Sequence, residues 1–304
     1  MPFLLGFLGV LGFSFTFPAT RVAVEELDAT FVGVGRAVLA GALAAALLAI
    51  RREPWPSRDQ MRHLAVVVGG VVVGFPLLSA LALVHVPSSH AAITAGIIPA
   101  FTVVAAVLRA GERPSGAFWF ASAAGLVAVL AFAAASGNGL PRTGDLLMLA
   151  GVVIVAFGYA EGAVLSRDMG GWRVISWALV LSLPVTIPVT AVAAAGGPLD
   201  GGTTEWLCFL WVAVGSMFLS FFAWYAGLAR GGVAKIGQVQ LSQALLTLGW
   251  SALLLGEEVD AQTLLAAVAV LACVVLTQRS RVDDVAATEA PKRDGRDLLL
   301  ASDP

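Results

Sequence analysis

Apolar residues run through this chain in ten long blocks, separated by short polar connections, from residue 3 to residue 278. The blocks cover approximately residues 3–20, 29–50, 63–83, 88–109, 115–135, 144–165, 173–195, 206–228, 233–255 and 260–278. A helix needs about 20 apolar residues to cross the hydrocarbon of a bilayer. Each block therefore predicts one membrane-spanning helix, and the expected fold is all-α, an integral membrane protein. Gly, Pro and charged residues mark the connections, as in RREPWPSRDQMR, SGNGLPRTGD and AGGPLDGGTTE. The narrowest division lies between spans 3 and 4, at His85–His90, where Pro87 disfavours continued helix. Beyond residue 280 the apolar pattern stops, and 281–304 is expected to be a disordered tail.

Composition agrees with the pattern. Of 304 residues, 59% are hydrophobic and 12% charged, against roughly a quarter charged in soluble domains. A net charge of −2 gives no case for nucleic acid. No Lys or Arg precedes Arg21, so the first block is expected to be a retained helix and not a cleaved leader. Cys208 and Cys273 lie inside apolar blocks and are expected to pack as small residues. Placing the N-terminus inside puts all but three of the eighteen Lys and Arg residues on inner connections and the tail. Arg21 and Arg142 fall outside, and Arg36 lies within a span. Basic residues concentrate on the cytoplasmic side of membrane proteins, so both termini are expected in the cytoplasm and the location in the cell membrane.

The two halves resemble each other at an offset of 145 residues. Gly111–Glu112 at the end of span 4 aligns with Gly256–Glu257 at the end of span 9, and Gly70 with Gly215. Five spans per half require the second half to enter the bilayer upside down, an arrangement common in secondary transporters. The expected units are residues 1–139 and 140–280, two inverted five-helix repeats.

With these features the chain resembles the drug/metabolite transporter superfamily, EamA-type branch. The stretches that carry the resemblance are GRAVLAGALAAALL, SSHAAITAGIIPAFTVVAAVLRAGERPSG, FLSFFAWYAGLARGGVAKIGQVQLSQALLTLGWSALLLGEE and LLAAVAVLACVVL. The resemblance implies a carrier of small metabolites, such as amino acids, or of drugs, working without cofactor or ATP. One departure stands out: where the family often has an acid-proline pair in span 9, this chain has Gln243 and Ala244, while span 4 keeps Pro99. The residues themselves show no Gly-rich phosphate loop ending in Lys-Ser/Thr, and no HExxH or GxSxG. The expectation is a transporter and not an enzyme, exporting small polar metabolites by alternating access; the alternatives are a multidrug or other metabolite carrier of the same fold, a channel, or an intramembrane enzyme.

Charges inside spans are costly and usually face protein or water. Arg36 in span 2 is a candidate anchor for a substrate carboxylate, against the alternative of snorkelling or pairing with Glu25, Glu26 or Asp28. Glu161 in span 6 is a candidate proton-coupling acid, against the alternative of a rim acid paired with Arg167 or Arg230. In span 9, Gln238 and Ser242 share one helical face; Gln240, Gln243 and Thr247 share another. Ser14 and Thr16 in span 1, and Trp224 and Tyr225 in span 8, complete the candidate substrate-binding set. His85 and His90 are expected to be solvated turn residues, without a metal. Pro76, Pro99, Pro184 and Pro188 lie within spans and allow bends. The expected partners are a small-molecule substrate and the lipid bilayer; oligomeric state is not legible.

Overall fold

A computed structural model of the chain describes residues 2–110, 115–136, 140–231 and 238–289. The described residues are helical, apart from turns and a single bridge between Leu27 and Leu199. Span 1 is split into α1 (Pro2–Ser14) and α2 (Thr16–Glu26). Pro18 lacks the N–H that would satisfy the Ser14 carbonyl four residues back, so the helix gives way at Phe15. Span 2 is α3 (Ala29–Arg51), capped by Asp28, whose Oδ1 accepts from Phe31 N at 2.8 Å. Span 3 starts as α4 (Arg58–Val67) with a Ser57/Gln60 capping box. It widens into a π-helical segment, Val68–Gly74, and ends as α5 (Phe75–Leu83).

Span 4 is also split, into α6 (Ser88–Ala95) and α7 (Ile98–Ala110). Pro99 sits in the first turn of α7, where no helical N–H is needed. Spans 5, 6 and 7 are the unbroken helices α8 (Gly116–Ser136), α9 (Thr143–Met169) and α10 (Gly171–Gly196); α10 carries Pro184 and Pro188 without interruption. Span 8 repeats the design of span 3: α11 (Thr203–Leu210), a π-helical segment Trp211–Ser220, then α12 (Phe221–Gly231). The described part of span 9 is a 3₁₀ turn, Gln238–Leu241, and α13 (Ser242–Leu255). Span 10 is α14 (Ala261–Glu289), which continues past the end of its apolar block. Asp260 caps it, and the backbone bond from Thr263 holds the Asp260 carboxyl below its usual range.

Eight of these helical stretches are long and apolar enough to cross a membrane; Ser242–Leu255 and Ala261–Thr277 are shorter apolar helices. Large apolar side chains cover the outside, among them Phe120, Leu253 and Leu265. Arg36, Glu161, Asp145 and His90 are buried instead. Such an outer surface would be unstable in water and suits lipid.

Packing follows a regular pattern. Span 2 lies on span 7, span 5 on span 10, span 4 on spans 6 and 9, span 9 also on span 1, span 1 on span 8 and span 3 on span 6. Adding five to each span number returns the same set. Glycine allows the closest approaches: a Cβ on Gly70 would meet Ile154 O at 2.8 Å and Gly158 Cα at 2.9 Å, and one on Gly9 would meet the Trp224 backbone. The ends carrying residues 27–28, 88–90, 145, 197–199 and 257 are joined by hydrogen bonds, such as Asp28 N to Pro198 O. This is the end where the sequence is poor in Lys and Arg. At the opposite, basic end Arg173 pairs with Glu53 at 2.8 Å.

Candidate functional site

The breaks in spans 1 and 4 face span 9 across a narrow cleft. It is lined by Phe17 of α2, by Ala92, Ala95 and Gly96 of α6, by Ile98 and Pro99 of α7, and by Gln240, Gln243, Ala244 and Thr247 of span 9, with Leu271 of α14. Proline chemistry makes the breaks polar. Pro99 has no N–H for the Ala95 carbonyl, just as Pro18 has none for Ser14. Thr247 fills the second gap: its hydroxyl lies 2.8 Å from Ser14 O and 2.9 Å from Gln243 O. Two amide side chains, Gln240 and Gln243, therefore share the cleft with Ala95, whose carbonyl Pro99 leaves without its helical partner, between apolar walls. Such a set supplies both donors and acceptors and suits a ligand bearing both. The cleft holds only about 20 Å³, room for a water molecule and not for a metabolite.

Of the two polar faces expected on span 9, the one with Gln240, Gln243 and Thr247 lines the cleft. Ser242 turns its hydroxyl back to Val239 O at 2.7 Å. The side chain of Gln238 lies outside the described residues, as do Lys235 and Glu112. Ser14 is fully buried; it donates to Leu11 O and accepts from Trp250 Nε1 at 3.0 Å, so it supports the break without lining the cleft. Thr16 bonds Ser216 at 2.7 Å, joining spans 1 and 8. Trp224 is a packing residue against Gly9.

A second polar group lies around α9. Arg36 is only 3% exposed, so its side chain does not snorkel to water. Its Nε donates to Gly33 O at 3.3 Å, and no described acid pairs with it. Glu25 instead pairs with Arg21, and Asp28 caps α3. Arg36 lies within electrostatic reach of Tyr159, and Tyr159 of Tyr225. The buried Tyr225 ring covers Gly171, and its hydroxyl sits 3.2 Å from where a Cβ of Gly162 would be. Next to Gly162, Glu161 is buried and hydrogen-bonds His63 Nδ1 of α4. His63 also lies 3.7 Å from Asp59 and is about a third exposed. The sequence does not single out His63, because its partner is fixed by packing of spans 3 and 6. Its position four residues after Asp59, at the first turn of a span, is the only local sign.

His90 departs from expectation. His85 is exposed, but His90 is buried, with Nε2 2.5 Å from Asp145 Oδ1 and its ring against Phe132. Pro87 starts α6 in a direction that carries His90 inward toward α9 instead of leaving it on the turn.

Three kinds of similarity bear on this arrangement. The model of the EamA-like transporter family matches residues 1–134 and again 142–279. "Uncharacterized transporter YdeK" of Bacillus subtilis (strain 168) is 46% identical over 274 residues, covering 90% of this chain and 96% of that protein. "Probable terminal-alkyne amino-acid exporter" of Streptantibioticus cattleyicolor is 27% identical over 237 residues, covering 75% and 76%. A crystal structure at 18% identity has the same fold, with a TM-score of 0.62 over 91% of this chain and 98% of its own. Paired family matches, a near-full-length transporter relative and an apolar-clad helical bundle agree: the chain belongs to the EamA-like transporter family of the drug/metabolite transporter superfamily, and is a multi-pass membrane transporter, not an enzyme.

Proposed function

We propose that the protein is a secondary carrier exporting amino acids or related small polar metabolites by alternating access through the central cleft. The observation that carries this reading is the meeting of Gln240, Gln243 and Thr247 with the broken helices of spans 1 and 4. Discontinuous helices with freed backbone groups are the usual material of transporter binding sites. A cleft of about 20 Å³ must widen to admit a metabolite, as a carrier's site does between its two open states. The exporter relative, named for an amino acid, favours the same substrate class.

Two bundles of opposite polarity, residues 1–139 and 140–280, form the moving halves in this reading. Support comes from the paired family matches, the π-helical segments at Val68–Gly74 and Trp211–Ser220, and the packing pattern that maps onto itself when five is added to each span. The shorter Ser242–Leu255 and Ala261–Thr277 then complete a set of ten spans, with both termini cytoplasmic in the cell membrane. Arg36 anchors the substrate carboxylate: a guanidinium this deep without an acid partner among the described residues offers charge to an anion. Glu161 is the proton-coupling acid, with His63 as its partner toward the basic end. Tyr225 packs beside this polar group, while Ser14, Thr16, Trp224 and Ser242 act on the substrate path only indirectly, by holding spans 1, 8 and 9 in place.

A stability-shift screen of the purified protein against amino acids, sugars, nucleosides and cationic drugs tests the substrate class. Ligands that bind the folded state raise its apparent melting temperature. The reading requires shifts with amino acids that are absent in Arg36→Gln; shifts only with apolar cations contradict it.

A further inference from the structure

Three consecutive residues at the start of α6 are tied to acids from the second half of the chain. The backbone N–H groups of Ser88 and Ser89 each donate to a different oxygen of Glu257, both at 2.8 Å. The Ser88 hydroxyl lies 2.9 Å from Glu257 Oε1 and 2.7 Å from the Ser251 hydroxyl. His90, the next residue, meets Asp145, whose other oxygen accepts from Arg142 N at 2.7 Å. Ser88, Ser89, His90 and Asp145 are all buried.

The chemistry is strong for its size. The first N–H groups of a helix have no partner within it and carry the positive end of its dipole. A carboxylate there makes charge-assisted bonds, stronger than neutral ones, and their strength grows where water is excluded. Gly256 makes the reach possible: its φ of 65° turns the chain at the end of α13, and Glu257 N then bonds back to Ser251 O. A side chain at 256 would resist that turn. The Gly-Glu pair that marks the ends of spans 4 and 9 in sequence thus acquires a physical role at its second copy.

The tie and the cleft are joined by one short rod. α6 runs from Ser88 at the tie to Ala95 at the cleft wall, and Ala92 and Gly96 line the same wall. Span 9 likewise carries Ser251 at the tie and Gln243 and Thr247 at the cleft. Spans 4 and 9 cannot part at the Lys/Arg-poor end without breaking the Glu257 bonds.

We propose that Glu257 is a gating residue, whose carboxylate on the start of α6 latches the two halves together and shuts the cleft toward the Lys/Arg-poor end, with His90–Asp145 as a second fastening. The proposal rests on the alternating-access reading above.

Thiol labelling in intact cells tests it without needing the substrate. Cys208 and Cys273 are first replaced by Ala. Ala95→Cys then reports the cleft, and Leu140→Cys, on an exposed turn at the Lys/Arg-poor end, reports which side of the membrane that end faces. With a membrane-impermeant reagent outside, Leu140→Cys labels readily and Ala95→Cys slowly. Adding Glu257→Ala speeds Ala95→Cys labelling by about tenfold or more, as loss of charge-assisted bonds implies. Glu257→Gln, which keeps one acceptor, gives a smaller increase, and so does Ser251→Ala, which spares the carboxylate. Size-exclusion profiles of each variant confirm that it is folded. Unchanged Ala95→Cys labelling in folded Glu257→Ala and Glu257→Gln, with Leu140→Cys labelled, overturns the latch. Failure of the carrier reading looks different: labelling still rises, yet no solute is exchanged in proteoliposomes.

Discussion

The hydroxyl of Thr247 lies 2.8 Å from the main-chain carbonyl of Ser14, taking the place of the N–H that Pro18 does not have. One side chain of span 9 thereby completes the broken helix of span 1. Thr247→Val keeps the volume and deletes the donor, leaving a buried carbonyl unsatisfied. The expected cost is about 1–3 kcal/mol, seen as a lower melting temperature in detergent, with Thr247→Ser near wild type. Equal melting of the Val and Ser variants would show that water or another group already serves that carbonyl.

Arg36 separates a binding role from a structural one. A buried guanidinium whose one hydrogen bond among the described residues goes to Gly33 O is destabilising to the fold unless something else needs it. Arg36→Gln is therefore expected to abolish transport of carboxylate substrates while leaving the melting temperature equal or higher. Arg36→Lys should retain charge but lose the two-pronged geometry, reducing transport by about tenfold. A sharp drop in stability with transport intact would assign Arg36 to architecture.

For Glu161, the expected outcome concerns pH. The carboxyl is buried and meets His63, which is partly exposed toward the basic end. Glu161→Gln removes the carboxylate while keeping its shape. Transport by the variant should lose its dependence on pH, and a proton gradient should no longer drive accumulation. His63→Gln should slow proton-driven transport without abolishing substrate-for-substrate exchange. If Glu161→Gln keeps the wild-type pH profile, the coupling site lies elsewhere.

Adjacent glycines of span 3 make a matched pair. A Cβ on Gly70 would press into the α9 backbone at Ile154 and Gly158, whereas one on Gly69 would meet nothing within 4 Å. Gly70→Ala is expected to cost about 1–3 kcal/mol, typical of overpacking, and to lower the yield of folded protein. Gly69→Ala should behave as wild type in the same measurement.

How far the sequence foretold these features depends on the range of the interactions. Hydropathy reads a local property, so the helical stretches begin and end within a turn or two of their apolar blocks, apart from the extension of α14 to Glu289 and the part of span 9 outside the described residues. The break at Gly96–Ile97 is announced by Pro99. The break at Phe15 has a local cause as well, Pro18, which the hydropathy reading left unmarked inside span 1, and only the Thr247 partner reveals its consequence. Helical periodicity groups Gln240, Gln243 and Thr247, and those three line the cleft, whereas the side chain of Gln238, assigned to the other face, lies outside the described residues. Which face meets the cleft depends on how α13 is rotated against α6, and no local pattern encodes that. Pairs such as His63 with Glu161, His90 with Asp145 and Ser88 with Glu257 join helices remote in sequence. Their members look like ordinary turn or rim residues until the packing of spans 3 on 6 and 4 on 9 is known.

Counterflow in proteoliposomes tests the carrier claim most directly. Vesicles are loaded with an unlabelled amino acid, diluted, and given a trace of the labelled one outside. A carrier gives transient accumulation of label that saturates with concentration and disappears in Arg36→Gln. Label that enters in proportion to its concentration, or no entry above empty vesicles for any amino acid tried, contradicts amino-acid exchange through the central cleft.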